Sequence, residues 1–469
     1  MPECSGASVA ILTLGCRLNQ GESEAIADEF RAQGFSVEPS WSAKSAAGLV
    51  IVNTCTVTSK ADQKARGLLR RVMRENPGAL VVATGCYASL DPEDLEALDD
   101  PGDGGLRRLF VPRMGKEGSG AGKAPLLELP ALMREGAANG RGLREALESW
   151  ASSRDGRAEG APGDAFAFAP AESSPRARGF LKIQDGCDKA CSYCRVREAR
   201  GPSASVAPEE AVARLRSLEA SGCAEAMISG VNVALYEHSG VGLARLIELL
   251  LEGTEKIAIR LSSLDPTIVD ERLARAVEGP RARPYFHLSV QSGSDEVLRR
   301  MRRAYRARDV ERAAGILRAV KGDPFLACDV IAGFPGEGDA DFARTLELCA
   351  RARFAWIHAF PYSPRQGTPA FSFPGAVRES LARERVDALL GMATAARRDY
   401  ARAWLGREVA AVVEGGKASA GKKPALSENY LRLEVDCKGL KPKGGDPVRC
   451  VLADIRDGKA FDAGAELIT

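Results

Sequence analysis

The stretch Gln184-Asp185-Gly186-Cys187-Asp188-Lys189-Ala190-Cys191-Ser192-Tyr193-Cys194 follows a short apolar run at 180–183 and sets three thiols in a Cys-x3-Cys-x2-Cys spacing. Three thiolates on so tight a loop can hold three corners of a cubic iron–sulfur cluster and leave the fourth iron without a protein ligand. A closed structural site recruits a fourth Cys or His, and none occurs in the twenty residues that follow. Zinc, or an inert thiol group, is the rival reading of the spacing. Outward from the loop, apolar runs at 180–183, 225–229, 257–262, 285–290, 325–332 and 354–360 alternate with helical patterns at 208–220, 243–251, 295–302, 307–320 and 339–352. Six strand–helix units predict an incomplete parallel (β/α)6 barrel, with its chemistry at the carboxyl mouths of the strands.

Polar motifs fall at those mouths. Ser229-Gly230-Val231-Asn232, Ser262-Ser263, His287 to Ser294 and Gly333-Phe334-Pro335-Gly336-Glu337 each end a strand or follow one. Glycine permits close backbone approach to a ligand, and hydroxyl and amide groups can hydrogen-bond ribose, carboxylate or adenine. Each motif alone also reads as a turn. His287, one of three histidines, fits a satisfied wall residue at least as well as a catalytic one; Asp329 and Glu337 read as polar anchors.

Nearer the start, apolar runs at 9–14, 49–52 and 80–83 alternate with helical patterns at 22–33 and 59–74, which predicts an open parallel α/β sheet. A cysteine closes each strand: Cys16, Cys55 and Cys86. Open parallel sheets bind ligands beyond the carboxyl ends of their strands, so one sheet edge presents all three thiols. Asn19, Asn53, Thr54 and Thr56 are placed to steady the loops. Three unrelated buried thiols is the alternative.

At this point a resemblance becomes specific. Gly15-Cys16-Arg17-Leu18-Asn19-Gln20-Gly21-Glu22-Ser23-Glu24, Asn53-Thr54-Cys55-Thr56-Val57-Thr58 and Gly85-Cys86-Tyr87-Ala88, followed by the three-thiol loop with Tyr193 before its last thiol, resemble the methylthiotransferase family of radical S-adenosylmethionine (radical SAM) enzymes. The wording of these motifs is most similar to the branch acting on N6-threonylcarbamoyladenosine at position 37 of tRNA, beside the anticodon. It is less like the isopentenyladenosine branch or the branch that modifies an aspartate of a ribosomal protein. The resemblance implies one 4Fe-4S cluster on Cys187, Cys191 and Cys194, with S-adenosylmethionine on its open iron, and a second 4Fe-4S cluster on Cys16, Cys55 and Cys86. It also implies cofactor contacts from Tyr193, Gly230, Asn232, Ser262, Gln291, Ser292 and Gly333. Two positions depart from the family pattern: Arg197 and Ser289 stand where proline is common.

Residues 115–178 are rich in Gly, Ala, Ser, Pro and charge and read as a flexible linker or insertion, with one helical segment near 143–150. The expected division is an N-terminal domain at 1–114, this linker, a radical SAM domain at 179–402 and a C-terminal domain at 403–469. Short strand signals at 408–413, 430–435, 447–452 and 465–468 suggest a small all-β barrel. In the family this place is held by a TRAM domain, an RNA-binding barrel, which points to Lys422 and Lys423 as RNA contacts. A basic run through Arg299, Arg300, Arg302, Arg303, Arg306 and Arg308 is the other candidate, with Arg300 and Arg303 the residues singled out; a salt-bridged helix surface is its rival.

Composition bounds the rest. Among 469 residues, 65 Lys and Arg face 63 acids, so the net charge of +2 carries no global polyanion signature. No run approaches the ~18 apolar residues that a membrane span needs, and the first residues lack a signal-peptide pattern, so a cytoplasmic protein with no membrane partner is expected. Twelve scattered cysteines do not resemble a disulfide framework. Replacing the hydrogen on C2 of an adenine requires a radical, and no Ser-His-Asp or paired-carboxylate set is needed for it. The family reaction consumes two molecules of S-adenosylmethionine, one as radical source and one as methyl donor. It also implies a tRNA anticodon stem-loop, a low-potential electron donor and a sulfur source as partners. A non-enzymatic iron–sulfur or RNA-binding scaffold is the distant alternative.

Overall fold

The computed structural model describes residues 8–38, 47–100, 106–112, 121–153, 165–170, 177–456 and 460–468. They divide into two compact units. The first comprises the described residues of Met1–Ser173 together with Lys182–Ala190 and Cys194–Val206; the second comprises those of Ser174–Leu181, Cys191–Tyr193 and Ala207–Thr469.

The first unit is built on a five-stranded sheet in the spatial order Ser36–Val37, Ser8–Thr13, Leu49–Thr54, Leu80–Gly85, Leu109–Phe110, and all its pairings are parallel. The two central strands are buried along their whole length, as the unbroken apolar runs at 49–52 and 80–83 demand when helices cover both faces. Helix Ser59–Glu75 packs Ala65, Leu69, Val72 and Met73 on one face of the sheet. Helix Arg17–Ala32 packs Ile26 and Phe30 on the other. The two strand ends that sequence patterning passes over, Ser36–Val37 and Leu109–Phe110, are two-residue edges too short to show alternation.

Part of the stretch expected as a linker belongs to that second face. A 3-10 segment Ala121–Leu127 and helices Leu129–Ala138 and Leu143–Ser152 bring Leu126, Leu129, Met133, Leu147 and Trp150 into the same core as Ile26 and Phe30. The apolar residues sit at helical spacing, but Gly- and Ala-rich connections dilute them below notice in composition. The segments 115–120, 154–164 and 171–176 of the expected linker lie outside the described residues.

Six strands follow one another in chain order through the second unit, the first of them running one residue past its boundary at Leu181. Gly179–Lys182, Glu225–Ser229 and Ala258–Leu261 form one sheet, and Tyr285–Gln291, Phe325–Ala332 and Trp356–Pro361 form the next. Isolated parallel bridges, Ile259 to Ala282 and Leu264 to Leu288, join the two halves. This is the incomplete (β/α)6 barrel. A closed five-stranded barrel follows, with strands Glu408–Val413, Lys422–Ser427, Arg432–Asp436, Pro447–Ile455 and Ala463–Leu467. It shares a core with the six-stranded barrel: Tyr285, Phe325 and Ala327 pack with Val409, Leu431, Leu433 and Ala465. The buried Arg260 guanidinium, lying 5.4 and 5.2 Å from the ring centres of Tyr285 and Tyr430, donates to the Ser427 and Glu428 carbonyls and pairs with Glu225 at 2.9 Å.

Candidate active site

Three thiols gather where the parallel sheet of the first unit ends. Cys55 and Cys86 immediately follow strands Leu49–Thr54 and Leu80–Gly85, and Cys16 is the N-cap of helix Arg17–Ala32, three residues beyond Thr13. Two glycines make the gathering possible. Gly15 has φ +107° and a Cβ there would lie 2.8 Å from the Cys55 sulfur; Gly85 has φ +96° and a Cβ would meet the Thr54 carbonyl at 2.3 Å. A web of amides ties the strand ends together. Asn19 donates to the Leu14 and Thr54 carbonyls at 2.9 Å each, Asn53 donates to the Asn19 carbonyl at 3.1 Å, and the Thr54 hydroxyl donates to the Thr84 carbonyl at 2.6 Å. Burial pushes the Cys55 thiol up to about 11, and the neighbouring Cys86 and Cys16 add to the rise. Among the described residues no three Cys, His, Asp or Glu side chains converge as ligands of a single ion do. Three soft thiols spread over neighbouring strand ends suit a polynuclear sulfur cluster, each thiol taking a different iron.

Beside the thiols lies a buried charged network that the sequence reading does not pick out. Glu22 pairs with Lys123 at 2.5 Å, Lys182 at 3.0 Å and Arg200 at 3.0 Å, while Asp185 pairs with Lys182 at 2.5 Å and Arg200 at 3.0 Å. All five side chains are less than a tenth exposed. Burial alone raises the Glu22 carboxyl; Arg200, Lys123 and Lys182 outweigh it and hold the group well below the usual carboxylate range. Asp185 is lowered by the same balance, with burial opposed by Arg200 and Lys182. Arg200 reaches the thiol site: its Nε donates to the Cys86 sulfur at 3.4 Å. The signal was present in the sequence, since Glu22 lies inside the Cys16 motif and Asp185 and Arg200 bracket the three-thiol loop.

That loop is fixed at both flanks. In the first unit the Cys187 amide donates to the Gly201 carbonyl at 3.1 Å, and Gly186 has φ +67° where a Cβ would meet the Pro202 carbonyl oxygen at 1.8 Å. The Val196 amide donates to the Cys194 sulfur at 3.4 Å. In the second unit Cys191 accepts from Arg303 Nη1 at 3.3 Å, Ser192 donates through its hydroxyl to the Arg300 carbonyl at 2.8 Å, and Tyr193 packs edge-on against Phe334.

The other expected cofactor residues are placed unequally. Gly230 and Asn232 follow strand Glu225–Ser229, and the Asn232 side chain caps the turn Val233–Leu235 by accepting from Ala234 at 3.2 Å. Ser262 follows strand Ala258–Leu261, and its buried hydroxyl has no hydrogen-bond partner among the described residues. Gln291 ends strand Tyr285–Gln291 with φ +65°, in the left-handed region where a side chain costs ~1–3 kcal/mol and such outliers cluster at ligand sites. Ser292 is fully buried and engaged with Thr345 at 3.4 Å, so its hydroxyl serves the packing of helix Asp339–Arg351. Gly333 has φ +78° and its amide donates to Glu337, whose carboxylate is held by Arg385 at 2.8 Å. His287 Nε2 lies 3.0 Å from the Asp329 carboxylate, and its Nδ1 lies 3.3 Å from the Ser263 hydroxyl.

The basic run is not a continuous stripe. Sequence alone puts Arg303 on an exposed phosphate-binding surface; its side chain is 9% exposed, paired with Asp265 at 3.2 Å and spent on the Cys191 sulfur and the Tyr305 hydroxyl. Arg300 lies over the Phe373 ring and donates to the Pro374 carbonyl at 3.2 Å, and Arg299 pairs with Glu296 on the surface. Lys422 sits 3.7 Å from Glu434, and Lys423 is exposed beside it on the small barrel.

With both thiol sets and the folds that carry them described, comparison with known proteins is decisive. Residues 181–349 match the model of the radical SAM superfamily, and residues 8–103 match uncharacterized protein family UPF0004. The chain is 40% identical, over 94% of its length and 97% of the relative's, to threonylcarbamoyladenosine tRNA methylthiotransferase MtaB of Treponema pallidum. The chain belongs to the radical SAM methylthiotransferases. It is also 32% identical to the protein of the same name from Thermotoga maritima, over 86% of this chain and 85% of that one. A tRNA-2-methylthio-N(6)-dimethylallyladenosine synthase from Parafrankia is 32% identical over 89% of this chain and 80% of its own. Among solved structures, the radical S-adenosylmethionine methyltransferase TsrM from Kitasatospora setae, with cobalamin and a [4Fe-4S] cluster bound, aligns with TM-score 0.51 and 15% identity over 78% of this chain and 74% of that one, a likeness of fold. Membership of the superfamily implies S-adenosylmethionine and a 4Fe-4S cluster as cofactors.

Proposed function

We propose that this enzyme converts N6-threonylcarbamoyladenosine at position 37 of tRNA to its 2-methylthio derivative, using S-adenosylmethionine twice per turnover and two 4Fe-4S clusters. The observation that carries the reading is the pairing, in one chain, of a Cys-x3-Cys-x2-Cys barrel loop with three thiols at the ends of neighbouring parallel strands, each set one ligand short of closing a cubic cluster. The choice of nucleoside rests on relatives named for threonylcarbamoyladenosine, one at 40% identity over nearly the full length of both chains, against 32% for one named for dimethylallyladenosine.

In this reading Cys187, Cys191 and Cys194 hold the cluster that binds S-adenosylmethionine, and Cys16, Cys55 and Cys86 hold the second. Bound there, the cofactors supply one-electron reductive cleavage of S-adenosylmethionine and a sulfur for methylation. The chain's own residues orient and exclude. Arg303 donates to one cluster thiol and is itself fixed by Asp265. Ser262 offers a buried hydroxyl with no partner among the described residues, and Tyr193 and Phe334 wall the loop with apolar surface. The closed C-terminal barrel is the TRAM-like RNA-binding module in this account, with Lys423 and Lys422 contributing to phosphate attraction. A low-potential electron donor, a sulfur source and a cytoplasmic location, where thiols stay reduced, complete it. The test is mass spectrometry of tRNA nucleosides from a strain lacking the gene. Loss of 2-methylthio-N6-threonylcarbamoyladenosine, restored by the wild-type gene and not by Cys191→Ala, is expected; its persistence beside loss of the 2-methylthio isopentenyl nucleoside would reassign the substrate.

A further inference from the structure

The buried network beside Cys86 is unbalanced. Among the described residues two carboxylates, Glu22 and Asp185, face three cations, Lys123, Lys182 and Arg200, which leaves one positive charge in excess. An uncompensated buried charge is strongly unfavourable, and well-packed apolar residues would fill the same space at less cost. The network therefore calls for an anion nearby. The Arg200 fork shows where that anion sits. Nη1 donates to Glu22 and Asp185 at 3.0 Å each and Nη2 to Asn19 at 2.9 Å and Glu22 at 3.2 Å, while Nε is turned out of the network onto the Cys86 sulfur. Asn19, which accepts from both Arg200 and Lys123, is the same side chain that ties the strand ends beside Cys16 and Cys55 together.

We infer that Arg200 is a positioning residue for the strand-end cluster: clamped by Glu22 and Asp185, it donates to the Cys86 thiolate and lends its positive charge to the anionic group that Cys16, Cys55 and Cys86 hold. A hydrogen bond to a cluster sulfur and a nearby cation both favour the more negative, reduced state, so Arg200 raises the reduction potential of that cluster. Glu22 acts with the opposite sign, because its charge offsets that of the cations.

The inference rests on the proposed second cluster, and the experiment keeps the two apart. A background with Cys187, Cys191 and Cys194 all replaced by alanine is reconstituted anaerobically, its iron is counted, and its potential is followed by paramagnetic resonance during a redox titration. Iron absent from this background overturns the second cluster and the inference with it. With iron present, Arg200→Gln is expected to make reduction about tenfold less favourable, a shift of ~59 mV to more negative potential for one electron. Arg200→Lys, which keeps the charge and loses the Nε donor, shifts the potential the same way by less, and Glu22→Gln shifts it to more positive values. Opposed shifts from positions 200 and 22 are the signature of charge acting on the cluster. Potentials that do not move, or that move together, overturn the role of Arg200 even if every variant folds and binds iron.

Discussion

Gly85 shows how much of the site hangs on single residues. Its φ of +96° and the 2.3 Å approach to the Thr54 carbonyl leave no room for a methyl group, so Gly85→Ala has to move the strand end that carries Cys86. The expected outcome is a loss of ~1–3 kcal/mol in urea unfolding together with loss of iron after anaerobic reconstitution. The carboxylates nearby make a second prediction. Glu22 and Asp185 have lowered folded-state values because their cations outweigh burial, so between those values and the unfolded ones, near ~4, the folded chain binds fewer protons than the unfolded chain. Their contribution to stability is present above the ordinary carboxylate range and is lost as pH falls through it. Urea midpoints measured from pH 6 down to pH 3 should fall more steeply for the wild type than for Glu22→Gln; equal slopes would remove the network from the account. At this scale the thiols were legible in the sequence because their spacing and strand-end positions are local. The partners of Arg200 were not, since Glu22 and Asn19 reach it across 178 and 181 residues of chain. Arg303 was misplaced for a related reason: a run of arginines says nothing about which one turns inward to Asp265.

Among the elements, the helices of residues 121–152 carry the largest difference between expectation and fold. Trp150 is 2% exposed and packs with Leu147, Leu129 and Phe30, so Trp150→Ala should cost ~3–5 kcal/mol, read as a lowered urea midpoint for the first unit. A solvated linker would register almost nothing. The strands were easier to read: the buried runs at 49–54, 80–85 and 325–332 are continuous and β-rich, and the structure has strands there. Strand Lys422–Ser427 escaped notice because it starts with two lysines and a proline, a composition that suggests a loop until the barrel closes around it. At a helix start, Thr58 accepts from the Ala61 amide at 3.1 Å, and Thr58→Ala should lower stability by ~1 kcal/mol without changing iron content.

On the scale of the molecule, the parallel sheet, the six-stranded barrel and the small closed barrel could be anticipated from the order of periodic segments, but the shared core of the two barrels could not. Tyr285 stacks on Tyr430 at 4.0 Å and the buried Arg260 guanidinium lies against the stacked pair, so the C-terminal barrel completes the wall of the central one. Truncation after residue 403 should accordingly yield protein that aggregates or melts without a cooperative transition; a monomeric product that unfolds cooperatively would show the barrels to be independent. The most direct test of the enzyme as a whole is an anaerobic reaction of the reconstituted protein with anticodon stem-loop RNAs, S-adenosylmethionine, a strong reductant and sulfide, read by nucleoside mass spectrometry. RNA carrying N6-threonylcarbamoyladenosine should gain one methylthio group in place of hydrogen, and no gain should appear when Cys55 or Cys191 is alanine. A methylthio group appearing only on isopentenyladenosine RNA, or release of 5'-deoxyadenosine with neither RNA changed, would contradict the account.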